Sequence, residues 1–143
     1  MNILQIGILV FTIIEFANIM TLYFNPGSQI GNGVGVFNAW EKSKEDHQVH
    51  EFIKYLIYWV AGAKLIFIMM AIVAIILGNQ MTQIFTVVAL IISILSFYWR
   101  LFPMIIKMDK SGDITPKGYS KTLGIMITTF IVGFSVILII TLI

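Results

Sequence analysis

The hydrophobic pattern of the chain is one of long unbroken runs separated by two polar stretches. Ile3 to Phe24, Leu56 to Leu77, Ile84 to Phe102 and Thr122 to Ile143 are apolar almost throughout. Each is close to the ~20 residues that a helix needs to cross a hydrocarbon core of about 30 Å. None alternates apolar with polar positions, as the strands of a membrane barrel do. Helices satisfy their own backbone donors and acceptors, so they are the expected spanning element. The third run is the shortest, with room to begin as early as Met81. The pattern predicts an all-α integral membrane four-helix bundle, with residues 1–143 forming one four-span domain.

Composition sharpens this picture. Hydrophobic residues make up 59% of the chain and charged residues 11%, against about 25% charge in a soluble domain. Too little polar surface exists to cover the molecule in water, so lipid is its expected solvent. The first run carries Glu15 and lacks a basic segment before it, which reads as a span rather than a cleaved leader. With no cysteine, disulfides, thiolate metal sites and cysteine nucleophiles are excluded. A net charge of +2 gives no reason to expect nucleic acid as a partner.

Charge placement predicts the orientation. Of the sixteen Asp, Glu, Lys and Arg residues, only Glu15 and Lys64 fall deep inside spans; the other fourteen lie between Glu41 and Lys54 or between Arg100 and Lys121. Those stretches join spans one to two and three to four, so they share one membrane face, and they hold eight of the nine basic residues. The positive-inside rule makes that face cytoplasmic and both termini non-cytoplasmic. Every Trp and Tyr (Tyr23, Trp40, Tyr55, Tyr58, Trp59, Tyr98, Trp99 and Tyr119) falls at or near the same interface, where amphipathic rings anchor.

The first cytoplasmic connection is long. Asn25-Pro26-Gly27 stops the first helix, and a glycine-rich stretch with Gly31, Gly33 and Gly35 follows. Such a stretch can cradle phosphate or line an ion filter. Here no lysine follows at Walker spacing, and no room remains for a pore helix. The expectation is a flexible interfacial loop packed closely on the bundle. Ser43 with Asp46 reads as a loose capping box. The second helix is therefore predicted to start near Lys44 and to project about three turns into the cytoplasm. Asp46 with His50, and His47 with Glu51, share helix faces pairwise, but His47, His50 and Glu51 do not match a zinc motif, and read as a solvated face. Asp109 to Asp113 reads as a turn, because the calcium-loop position for a bidentate Glu is Ser120. No catalytic set, metal site or cofactor is expected.

The sharpest chemistry lies inside the bilayer. Gln5, Thr12, Glu15 and Asn18 share an arc of about 140° on the first span. Thr82, Thr86, Ala89, Ser93, Ser96 and Arg100 share about 80° on the third. Lys64 shares a face with Ala61, Ala71, Ala74 and Gly78. Polar faces usually point into a bundle. Glu15 and Lys64 lie about 13 and 12 Å from the cytoplasmic boundary, on spans expected to be neighbours. The predicted polar interior is Glu15, Asn18, Lys64, Ser93, Ser96 and Arg100. A four-span chain with a glutamate in its first span is similar in those two respects to the small multidrug-resistance transporters. It departs from them in length and in Lys64 and Arg100, and no site residue is carried over.

Two functions are consistent with these residues. One is a non-catalytic accessory subunit of the cell membrane, contacting a protein partner from its cytoplasmic face. The other is a small transporter, channel or binding protein that takes a small solute or lipid headgroup into the polar interior.

Overall fold

In the computed structural model, which describes Met1–Ile143, the chain is helical nearly throughout. In order the elements are α1 (Ile3–Phe24), α2 (Asn38–Ser43), α3 (His47–Leu77), α4 (Gln80–Leu95), a 3-10 turn (Ser96–Tyr98), α5 (Leu101–Ser111) and α6 (Tyr119–Leu142). Four helical stretches are long and apolar enough to cross a membrane, which makes this a multi-pass membrane protein. Helix α1 packs against α3, α4 and α6, and its seam with α3 is the most extensive. Helices α3 and α6 flank the α1–α4 pair, and their backbones do not approach each other closely.

Local chemistry sets the helix ends. Asn2 and Gln5 form a reciprocal capping box, with Gln5 N donating to Asn2 Oδ1 at 2.8 Å and Asn2 N to Gln5 Oε1 at 2.9 Å. Asn79 caps α4 by accepting from Thr82 N at 2.9 Å. Asp46, not Ser43, caps α3: its carboxylate accepts from Gln48 N and Val49 N at 2.9 and 3.2 Å. The expected start near Lys44 is thus corrected to His47. Ser43 ends α2 and donates instead to Trp40 O at 2.7 Å.

The expected third span, Ile84 to Phe102, lies inside the candidate span Gln80–Ser111, but this stretch is not one continuous α-helix. Helix α4 stops at Leu95, and α5 restarts at Leu101 after the 3-10 turn. Pro103 explains the break. It lacks an N–H, and its ring collides with the carbonyl four residues back, at Trp99, in a continuous helix.

The core falls into three clusters. Leu4, Ile8, Phe11, Ala71, Val87, Leu90 and Phe134 pack near the face that carries the termini. Phe11 meets Phe67, Phe130 and Phe134 edge-on. Ile19, Leu22, Trp40, Ile57, Ala61 and Ile68 form the second cluster, nearer the face of the charged loops. A third, of Val36, Ile105 and Ile114, joins the two loops to each other.

Candidate functional site: an intramembrane ion pair under a loop clasp

The α1–α3 seam holds the one charged contact inside the spans. Lys64 Nζ lies 2.5 Å from Glu15 Oε2. That oxygen is buried, and the lysine meets it as an ion pair rather than as a well-aligned hydrogen bond. Asn18 Nδ2 donates to the other carboxylate oxygen at 3.2 Å. Along α1 the pair falls between Phe11 and Ile19, which belong to different clusters. Its surroundings are unequal. The Glu15 side chain is 15% exposed and that of Lys64 is 27%. A shallow recess of about 380 Å³ lined by Trp59, Val60, Ala63, Lys64 and Phe67 opens beside the lysine.

The rest of the expected interior is elsewhere. Ser93, Ser96 and Arg100 are all exposed. Ser96 Oγ donates to Ser93 O at 2.6 Å, within its own backbone. The Arg100 guanidinium lies 5.9 Å from the Trp99 ring centre rather than against Glu15. The buried edge of α4 is Gln83, Val87 and Leu90. By helical geometry Thr82, Ala89 and Ser93 are turned about 100° from that edge, and Ser96 and Arg100 lie beyond the end of α4. Periodicity groups those residues on one side of the helix, but it does not say which side faces the bundle.

The glycine stretch is a folded loop. Val34 N donates to Pro26 O at 2.7 Å and Gly35 N to Ser28 O at 3.0 Å. A side chain at Gly33 or Gly35 would overlap the Ser28 or Gly27 carbonyl. Gly31 has φ +64° and lies against Asn18 and Thr21, so it covers the charged-face side of the Glu15–Asn18 group. The loop also clasps the second connection. Thr115 N donates to Val36 O at 2.8 Å, Asn38 N to Asp113 O at 2.9 Å and Asn38 Nδ2 to Gly112 O at 2.9 Å. Val36 and Ile114 seal the clasp at 1% and 2% exposure. Ile114 is an apolar residue inside an otherwise polar turn, a signal available in the sequence, whereas Val36 lies among other apolar residues such as Val34 and Phe37.

Two further polar features were not anticipated. Asp109 fastens α5 to the start of α6, accepting from Gly118 N and Ser120 N at 2.9 Å each and from Ser120 Oγ at 2.5 Å. At the opposite face, Gln83 is 2% exposed. It accepts from Asn2 Nδ2 at 2.7 Å and donates to Gly78 O at 2.9 Å, while Gln5 Nε2 donates to Ile75 O at 2.9 Å. These bonds latch α1, α3 and α4 together. His50, weighed above as a metal ligand, instead bonds through Nδ1 to Ser43 Oγ at 2.8 Å and packs on Trp40.

Chemically, the site is a closed cation–carboxylate contact with one amide donor beside it, capped by a tightly folded loop. No protein-family model, curated protein or solved structure matches the chain.

Proposed function

We propose that this protein is a non-catalytic accessory subunit of the cell membrane that binds another membrane protein. In this reading both termini lie outside, and the clasped loops and the start of α3 lie in the cytoplasm. The observation that carries the reading is the stripe on α4 and the turn after it. Thr82, Ala89 and Ser93 on α4, and Ser96 and Arg100 in the turn that follows, are exposed. Polar groups facing lipid are unfavourable, whereas small and hydroxyl residues at helical spacing suit close approach of a second helix. A partner helix seated there removes the stripe from lipid and brings a hydrogen-bond acceptor or acid toward Arg100.

The test is a photocrosslinking residue placed at Ser93 in native membranes, with Ile66 on the lipid side of α3 as the control. A discrete protein adduct is expected at Ser93 and not at Ile66, and it should disappear when Ala89 is enlarged to Leu. Equal adducts at both positions, or none at Ser93, would overturn the proposal.

A further inference from the structure

A groove of about 660 Å³ runs along α6, walled on one side by Tyr98 and Phe102. That size is within the about 300–1,000 Å³ of small-molecule sites. It runs from Lys121 to Gly133, a rise of about 18 Å along a helix. One leaflet of hydrocarbon is about 15 Å deep. The groove therefore extends from the interface on the charged face to about the bilayer midplane. Gly124 forms part of its floor, with the Phe102 ring tip 2.9 Å from where a side chain would begin, and nothing lies within 4 Å of Gly133.

Its polar atoms are already paired. Tyr98 Oη donates to Gly124 O at 2.9 Å and lies 2.8 Å from Thr128 Oγ1. Thr129 Oγ1 donates to Ile125 O at 2.9 Å. What remains is an apolar trough with one cation at its mouth. The three ion pairs of the molecule use Lys44, Lys54 and Lys64, so Lys121 has no acidic partner.

We infer that this groove holds one acyl chain of an anionic phospholipid, with the lipid phosphate at Lys121. A hydrocarbon chain matches the trough in depth and in its lack of free hydrogen-bonding groups. A phosphate at headgroup level answers the unpaired ammonium. A transmembrane partner helix fits less well, because it would continue past the midplane along Val136 and Ile140, and the groove ends at Gly133.

The experiment uses the full chain in mild detergent, exchanged with equal amounts of phosphatidylglycerol and phosphatidylcholine of identical chains and read by native mass spectrometry. One phosphatidylglycerol should be retained in preference by about fivefold, the factor one interfacial basic residue contributes. Lys121→Gln should abolish the preference. Gly133→Leu fills open space rather than displacing a neighbour, and should lower retention of both lipids. Equal retention by the wild-type chain, or unchanged binding in both variants, would overturn the inference. The unmodified protein supplies a second measurement. Phosphatidylglycerol with a photoreactive acyl chain should label the 124–133 segment of α6. Labelling spread over every lipid-facing helix would exclude a defined site, and protein adducts from a crosslinker at Thr129 would assign the groove to a partner instead.

Discussion

At the scale of single residues, Glu15 and Lys64 stand to lose unequally from the removal of a partner. Without Lys64, the carboxylate keeps only the 3.2 Å bond from Asn18 and stays in the less exposed of the two positions. Without Glu15, the lysine has a long stem and an open recess beside it, and it can extend toward the headgroups. Breaking a buried pair costs about 3–5 kcal/mol, and the partial exposure of both side chains puts this pair at the low end. Lys64→Met should therefore lower thermal stability in detergent by about 3 kcal/mol and Glu15→Gln by clearly less. The double variant should recover much of the loss, since two neutral groups need no compensation. Strict additivity of the two single changes in a double-mutant cycle would mean that the contact is not energetically coupled. The pairing was legible in the sequence because depth follows from counting residues and neighbours follow from connectivity. The places of Ser93, Ser96 and Arg100 were not, because an arc on a helical wheel has no absolute direction until the opposite edge is known to pack. Gln83 marks that edge; a lone amide within an apolar run gave no sign of its partners.

Among the elements, the first loop departs furthest from what glycine content suggests. Its composition points to flexibility, yet Gly35 is where the chain passes against its own backbone at Gly27. A methyl group there must push apart the turn that presents Val36 to Ile114. Gly35→Ala should destabilise the folded chain by about 2 kcal/mol, the usual cost of overpacking. It should also speed proteolysis between Gly112 and Gly118, where the clasp holds the second connection. Gly133→Ala is the control. It sits in a helix with free space around it, and should be neutral or stabilising by up to about 1 kcal/mol. Equal thermal shifts for the two would show that the clasp contributes nothing beyond helix propensity. Spans one and two end where hydropathy places them, at Phe24 and Leu77. The ends that moved were decided by single polar or cyclic residues. Asp46 outcompeted Ser43 as the α3 cap, and Pro103 divided the third run. The α5–α6 corner rests on Asp109 reaching across a turn, a tertiary contact that no local spacing announces. The loop-to-loop bonds from Asn38 join residues more than seventy positions apart, beyond any local pattern.

At the scale of the whole molecule, polar structure is unevenly divided between the two faces. One carries the clasp, α2, the start of α3, the α5–α6 corner and every charged residue outside the spans. The other carries the Asn2–Gln83–Gly78 latch and the short α3–α4 link. Both faces are knitted by hydrogen bonds, so order does not distinguish them; charge does. Basic residues near span ends are retained on the cytoplasmic side during insertion, and Lys42, Lys44, Lys107, Lys110, Lys117 and Lys121 are all exposed on the loop face. The chain has no native cysteine, so single cysteines report sidedness without background. Asn79 is exposed at the α3–α4 link, and Lys44 and Lys117 are exposed on the loops. Asn79 caps α4 through its side chain, and replacing such a cap costs about 1 kcal/mol, so Gln80, exposed beside it, is the safer second site on that face. In intact cells an impermeant thiol reagent should label cysteine at Asn79 or Gln80 and spare cysteine at Lys44 or Lys117, with all four labelled once the membrane is opened. The reverse pattern would place the clasp and the proposed lipid headgroup outside the cell. A mixture at every site would mean that the basic loops do not fix one topology. Adding two lysines at the α3–α4 link should then weaken the preference of the normal chain, since orientation follows the difference in basic charge between the faces rather than the latch or the clasp.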